Sequence, residues 1–461
     1  MLKKIIKRCI FDSIKNFFKV SASRPVSDKN KDVHNTGCDN VVIVSGFGYG
    51  NLGDEAQLSF NLDRWRNSIQ PERIVALSPN PDFTREYHNV SSFLASRAVI
   101  FGSDKPCGSW VFPEKLFTFA FIFNFSILTI ATYFIKFNIH PFFISNRKLE
   151  FLYRIKNASV VHVSGGGFMT GKTRTRLLDT LLVLFLSRKF ETPFFLTGQT
   201  FGLINSKLDG ILIKKVLNSA IHIGLRDPVE SKKELVKLGI KENLIHNSVD
   251  DALFSKKLGN NKLNNFLNSE KIDKDNFVVI NYHWWGMSEE VKVSSSSLIS
   301  ELIDYLHSFY NYQVVLLPMH ETDLEALYDL RGKVKKAKNV KVLPYQERHE
   351  VVRGLISEAQ FLVSLKHHPV IFAIGESVPV MAVSYDRYYS RKNIGALSNA
   401  GMEKYIVEYP SLLSDFTILI DDLLSNHLAI VESLKGNNKE LILSQQLEFE
   451  KVVSKIKSLR E

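Results

Sequence analysis

"VVIVSGFGYGNLGDEAQL", residues 41–58, decides the fold class. Its first four residues are an apolar, β-branched run suited to a buried strand. The chain then turns through Gly48, Gly50 and Gly53, spaced G-x-G-x-x-G, the fingerprint of a dinucleotide-binding loop between a strand and a helix. Such a loop works because backbone N–H groups and a helix N-terminus hold pyrophosphate. Here Asp54 and Glu55 follow Gly53 directly and would set two carboxylates against the phosphates. The next strand should end on an acidic residue for the ribose, yet it ends "ALSPNP", with Ser78 and Asn80. The strand–loop–helix unit stands and the dinucleotide is excluded. Asp54 and Gln57 form a capping-box pattern for the helix start. Asn51 and Asp54 are candidates to hydrogen-bond sugar hydroxyls at the strand ends.

The same alternation extends along the chain. Buried parallel strands are expected at 40–46, 73–78, 159–167, 193–199 and 220–227, with helical periods at 174–190 and 207–219. A polar stretch rich in Asn and Lys, 255–276, reads as a boundary. Beyond it, strands are expected at 277–283, 313–318, 340–344, 359–365 and 378–384. The expected fold class is α/β, two Rossmann-like doubly wound domains facing a cleft, over 40–258 and 272–414. A helical tail, 415–461, is expected to pack back on the body.

The 461 residues exceed what one core organises, and the composition is that of a folded protein. A net charge of +11 points to an acidic partner. Cys9, Cys38 and Cys107 show neither metal-ligand spacing nor a disulfide framework, and suit a reducing compartment. Residues 1–39 combine a basic amphipathic helix with a polar linker, a pattern that suits an anionic lipid surface or docking on the protein's own body. Residues 116–135, "LFTFAFIFNFSILTIATYFI", carry no charge and approach the length of a membrane span. They interrupt what reads as one α/β domain, so the expectation is peripheral contact with an anionic membrane.

Three stretches gather at strand ends, where open α/β sheets bind ligands. "SGGGFM" (164–169) exposes backbone at Gly166 and Gly167. In "GLRDPVES" (224–231), Asp227 and Pro228 start a helix and leave Arg226 on the lip of the crevice. "SLKHHPVIFAIGESVPV" (364–380) brings Lys366, His367 and His368 to a helix N-terminus, an anion site by its charge and dipole. "NYHWWG" (281–286) offers Trp284 for stacking on a sugar ring, and "PMHETD" (318–323) offers His320. No metal signature is visible.

The order of "GYGNLGDEAQL", "VHVSGGGF", "TGQTFG", "GLRDPVESKKELVKLGI", "VDDALF" and "SLKHHPVIFAIGESVPVMAVSYD" resembles the polysaccharide pyruvyl transferase family, from about Val41 to about Met402. The resemblance implies a GT-B-like pair of domains. It also implies transfer of enolpyruvate from phosphoenolpyruvate to a sugar of a surface polysaccharide or its lipid-linked precursor, as a ketal, with release of phosphate. No cofactor and no nucleic acid are implied. By the same resemblance Arg226 and His368 handle the donor, Lys366 stands where the family has arginine, and Lys392 is the lysine of a tyrosine–lysine segment. Gln199 lies in "TGQTFG" and is a further candidate for substrate. The implied enzyme works on the inner face of the cytoplasmic membrane. A nucleotide-sugar GT-B glycosyltransferase and a non-catalytic glycan-binding protein are the alternatives.

Overall fold

The computed structural model describes residues 40–101 and 114–459; the basic segment 1–39 and the three cysteines lie outside them. The N-terminal lobe is built on β1 (Val41–Val44), β2 (Ile74–Ser78), β3 (Ser91–Leu94), β4 (Val160–Val163), β5 (Gly166–Thr170), β6 (Phe194–Gly202), β7 (His222–Leu225) and β8 (Ile245–Asn247). Their order is β3-β2-β1-β4-β6-β7-β8, with β5 on β6, and every pairing is parallel. The C-terminal lobe carries β9 (Phe277–Asn281), β10 (Gln313–Leu316), β11 (Val340–Val342), β12 (Leu362–Ser364), β13 (Val380–Ser384) and β14 (Ile406–Glu408). Its order is β11-β10-β9-β12-β13-β14, again all parallel. Strand order reverses beside β1 in one sheet and beside β9 in the other, so each sheet opens a crevice at its carboxyl edge.

Six helices matter below: α1 (Leu52–Arg66), α2 (Glu114–Lys136), α3 (Arg174–Phe190), α4 (His367–Gly375), α5 (Arg387–Asn399) and α6 (His427–Ser458). The two lobes face one another and touch. Leu52 and Ala56 of α1 sit in the same apolar cluster as the C-terminal sheet. Leu52 N–H donates to the Met319 carbonyl at 3.2 Å, and the Tyr345 hydroxyl donates to the Gly50 carbonyl at 2.7 Å. α6 ties them again. Leu434 packs in the C-terminal core, while Phe449, Val452 and Ile456 pack with Trp65 and Phe195 of the N-terminal lobe.

Three expectations need correction. The polar boundary 255–276 contains a helix, Asn260–Ser269, because Leu263 and Leu267, spaced i, i+4 among asparagines, are buried in the C-terminal core. The strands β3, β8 and β14 were not expected; each is three or four residues long. The first helix starts at Leu52, capped by the Asn51 side chain, which accepts from Gly53 N–H at 3.2 Å, and not at an Asp54–Gln57 box.

The apolar segment forms α2, and among the described residues this helix alone is long and apolar enough to cross a membrane. It lies along α3 with Phe121, Leu128, Ala131 and Ile135 buried. Lys148 Nζ donates to Asn124 at 2.6 Å and Arg174 donates to Thr118 at 2.9 Å, pinning it to the lobe. Its other face leaves Phe119, Ile122, Phe123 and Ile130 more than half exposed.

Candidate active site

The glycine loop is filled from within. Gly48 and Gly50 have φ of 89° and 73°, the left-handed region that L side chains rarely adopt. Their turn aims backbone N–H groups inward, and the Glu55 carboxylate takes them, accepting from Gly48 at 2.8 Å and pairing with His88 at 2.9 Å. Burial lifts this carboxyl to about 7, against the Gly48, Gly50 and Tyr49 N–H groups that favour its charge. The cradle that would hold a pyrophosphate therefore holds the chain's own anion. Gly53 serves another purpose: a methyl built on it would lie 2.0 Å from Cγ and Nδ1 of His368.

Arg226 follows β7 and is buried. Its Nε donates to Thr200 Oγ1 at 2.9 Å and its Nη1 pairs with Asp250, while Nη2 is buried with no partner. The same Asp250 oxygen meets His367 Nε2 at 3.2 Å, and its other oxygen accepts from Gln57 at 2.9 Å and Ala252 N–H at 2.9 Å. Burial opposes ionisation of Asp250, but Arg226 and the His367 hydrogen bond hold its carboxyl well below the usual range. One carboxylate thus joins a guanidinium of the N-terminal lobe to an imidazole of the C-terminal lobe.

His368, next along α4, has a buried Nε2 with no partner. Burial pulls its imidazole down to about 3, outweighing Asp250 and Asp54, so the ring is neutral. Lys392 on α5 is lowered to about 7 by burial and by Arg226, with Asp54 and Asp250 opposing. Its ammonium lies over the Tyr388 ring, 4.9 Å from the centroid, and Tyr388 donates to the Gly167 carbonyl at 3.0 Å. Gly167 closes the group. A Cβ there would stand 2.9 Å from Arg226 Nη2, 3.0 Å from the Tyr388 hydroxyl and 3.1 Å from Lys392 Cε.

The remaining candidates are placed elsewhere. Lys366 turns away and grips both Asp323 oxygens, at 2.6 and 2.7 Å. Trp284 packs on the C-terminal core and donates to the Tyr282 hydroxyl at 3.2 Å; Trp285, 55 % exposed, is the indole at the lobe junction, facing Tyr389 and Lys172. Gln199 Nε2 is spent on the carbonyls of Ser164 at 2.9 Å and Thr197 at 2.8 Å. At Gly166 the Phe168 ring occupies the Cβ position. His320 Nε2 bonds the Tyr49 carbonyl at 3.1 Å and so joins the lobes. Asn51 is a helix cap. Asp250 and Tyr388 are not singled out by the sequence, although "VDDALF" contains Asp250; His367 is part of the expected anion cluster, and the structure turns it to Asp250.

Among the described residues one group could gather three metal ligands, His222, His246 and Glu448, within 4.8 Å of one another. The two imidazoles are stacked 4.3 Å apart at 10°, so their lone pairs run side by side and do not converge on one ion.

Two parallel Rossmann-like sheets with a buried cationic cluster at their junction define a GT-B-like transferase scaffold. The chain belongs to the polysaccharide pyruvyl transferase family, whose model matches residues 51–387. No curated protein sequence matches it. Solved structures share the fold. UDP-GlcNAc 2-epimerase from Methanocaldococcus jannaschii is 14% identical, with 83% of this chain and 92% of that one covered and a TM-score of 0.52. Anabaena Alr3699/HepE in complex with UDP-glucose is 11% identical, with 90% and 99% covered and a TM-score of 0.53. The S. aureus MnaA–UDP structure is 8% identical, with 87% and 91% covered and a TM-score of 0.53.

Proposed function

We propose that this pyruvyl transferase takes its donor from phosphoenolpyruvate and forms a ketal on a sugar of a surface polysaccharide or its lipid-linked precursor. One observation carries the reading: Arg226 Nη2 and His368 Nε2, both buried without a hydrogen-bond partner, collect with the Lys392 side chain around Gly167, Gly53 and Asp54. A compact guest bearing a carboxylate and a phosphate matches that set. The nucleotide-sugar alternative would still need a place for its diphosphate, and the glycine loop offers none while Glu55 fills it.

In this reading Arg226 and Lys392 hold the donor's two anionic groups, Lys392 regaining its proton as the dianion arrives. A sugar hydroxyl oxygen bonds to C2 of the enol while its proton is removed and C3 gains one, giving a methyl group and a tetrahedral phosphate adduct. Asp54 and neutral His368 are the groups placed to take and return that proton. Departure of phosphate, with the second hydroxyl bonding to C2 and its proton leaving with the phosphate, closes the ketal. Asp250 touches no reacting atom; it positions Arg226 and His367.

The exposed face of α2 suggests where the acceptor is met. Its aromatic and aliphatic side chains fit peripheral contact with the inner face of an anionic membrane. The transfer is tested by mixing the full chain with phosphoenolpyruvate and cell-envelope glycan, without nucleotide sugar. Release of phosphate with a new ketal methyl in the glycan supports it. UDP release from a nucleotide sugar, with phosphoenolpyruvate untouched, assigns the alternative, and neither product leaves a binding protein.

A further inference from the structure

The N-terminal lobe holds a second recess that the donor cluster does not use. It lies at the carboxyl ends of β1 and β2, beneath the helix Ser96–Phe101 and against α3. Tyr49, Pro79 and Phe168 line it together with Arg97, Arg176 and Asp179. Asp179 Oδ1 is buried and has no hydrogen-bond partner. Burial raises this carboxyl to about 7, with Arg97 and Arg176 pulling the other way. Both guanidinium groups act on Asp179 through its charge without a hydrogen bond to its Oδ1. Unsatisfied buried polar atoms are rare in folded chains, and here one, Asp179 Oδ1, lies in an aromatic-lined recess that also holds two guanidinium groups.

The recess adjoins the donor cluster at Gly46. A methyl built on Gly46 would stand 3.2 Å from Arg176 Nη1 and 3.4 Å from the Asp54 carboxyl, so the recess guanidinium and the donor-site carboxylate flank the same point. Phe168 lines the recess, while a Cβ on its neighbour Gly167 would stand 2.9 Å from Arg226 Nη2. The Arg176 guanidinium lies over the Tyr49 ring, 5.2 Å from its centroid.

A pyranose ring has the matching chemistry. Its C–H face stacks on aromatic rings, and its hydroxyls both donate to a carboxylate and accept from guanidinium groups. The geometry points to this recess as the site of the acceptor pyranose, with Asp179, Arg97 and Arg176 gripping its hydroxyls and the ring lying against Tyr49 and Phe168. This inference rests on the pyruvyl-transfer reading, since it supplies that reaction's second substrate from a recess that meets the donor site beside Asp54.

Binding is measured without turnover. The full chain is mixed with the methyl pyranosides of gluco, galacto and manno configuration and examined by saturation-transfer difference NMR, with phosphoenolpyruvate followed by phosphorus line broadening in the same samples. At least one glycoside is expected to bind the wild type. Asp179→Asn, which keeps the side-chain shape, and Arg97→Ala are each expected to weaken it about tenfold, the loss of a charge-assisted hydrogen bond, with phosphoenolpyruvate broadening unchanged. Should Asp179→Asn lower the melting temperature, Arg97→Ala carries the decision. The assignment is overturned if no glycoside binds the wild type, or if the deciding variant binds as the wild type does. Absent phosphoenolpyruvate broadening in the wild type counts against the donor reading instead, leaving the glycoside result to judge the recess.

Discussion

Gly53 and His368 come from different lobes and touch so closely that no side chain fits between them. Gly53 occupies the first turn of α1, where alanine would be the better helix former by about 1 kcal/mol. Gly53→Ala is nonetheless expected to lower stability by about 1–3 kcal/mol, because the methyl overlaps Cγ and Cβ of buried His368, and to displace the imidazole. Phosphate release should fall about a hundredfold or more, the scale of losing a general acid or base. Ordinary turnover in this variant would remove His368 from the reaction.

Lys392 predicts a pH dependence with a definite sign. Burial lowers it to about 7 in the free protein, and a bound dianion raises it again. Binding of phosphoenolpyruvate should then take up a proton, and affinity should strengthen as pH falls from about 9 to 7, by at most about tenfold per unit. Titration calorimetry in buffers of different ionisation enthalpy reads the uptake directly. For stability the sign is set by the same depression. Above 7 and below 10.5 the unfolded chain holds a proton that the folded chain lacks, so stability rises with pH through that window. Lys392→Met should be more stable than the wild type at neutral pH and inactive.

Arg226 and Asp250 form a buried pair whose halves are unequal in purpose. Arg226→Met leaves the buried carboxylate without its cation, hydrogen-bonded only to Gln57, Ala252 N–H and His367, and should cost about 3–5 kcal/mol in chemical denaturation. Adding Asp250→Asn removes the stranded charge, so the double variant should recover much of that loss yet bind no phosphoenolpyruvate. Recovery of donor binding in the double variant would show that Arg226 serves the fold only.

Lys366 is expected to behave as a structural residue. Its Asp323 partner also accepts from Met319 and His320 N–H at 2.9 and 3.1 Å, fixing the turn after β10. Lys366→Ala should lower stability by about 1–3 kcal/mol and leave the KM for phosphoenolpyruvate within about threefold. A KM raised more than about tenfold would return Lys366 to the donor site.

On α2, Phe123→Glu with Ile130→Glu places two carboxylates on the exposed face and spares the buried one. Co-sedimentation with phosphatidylglycerol vesicles should drop sharply while the melting temperature holds. Undiminished sedimentation would place any membrane contact elsewhere on the chain.

The alternation of strands was legible because each central strand is an unbroken apolar run with a turn signal after it. β3, β8 and β14 escaped because they are short and sit at sheet edges, where half-exposed residues dilute the pattern. Within the site, spacing and charge point to Arg226 and to the cluster Lys366, His367 and His368, while the choice of His368 and the naming of Lys392 come from the family resemblance. Spacing and charge could not show that Lys366 points away, because consecutive residues at the entry to a helix diverge and only the position of Asp323 decides which one reaches the junction. Nor could they separate Trp284 from Trp285, whose difference lies in which indole meets the Tyr282 hydroxyl. Asp250 was hidden for a similar reason. Its importance comes from what folds around it.

Trp65 makes an edge-to-face contact with Phe449, their centroids 5.0 Å apart. That neighbour is synthesised only after the whole C-terminal lobe has left the ribosome. The first lobe to emerge must therefore wait with a large indole unshielded, and a product interrupted before α6 would present that surface to chaperones and proteases rather than accumulate as a half-sized enzyme.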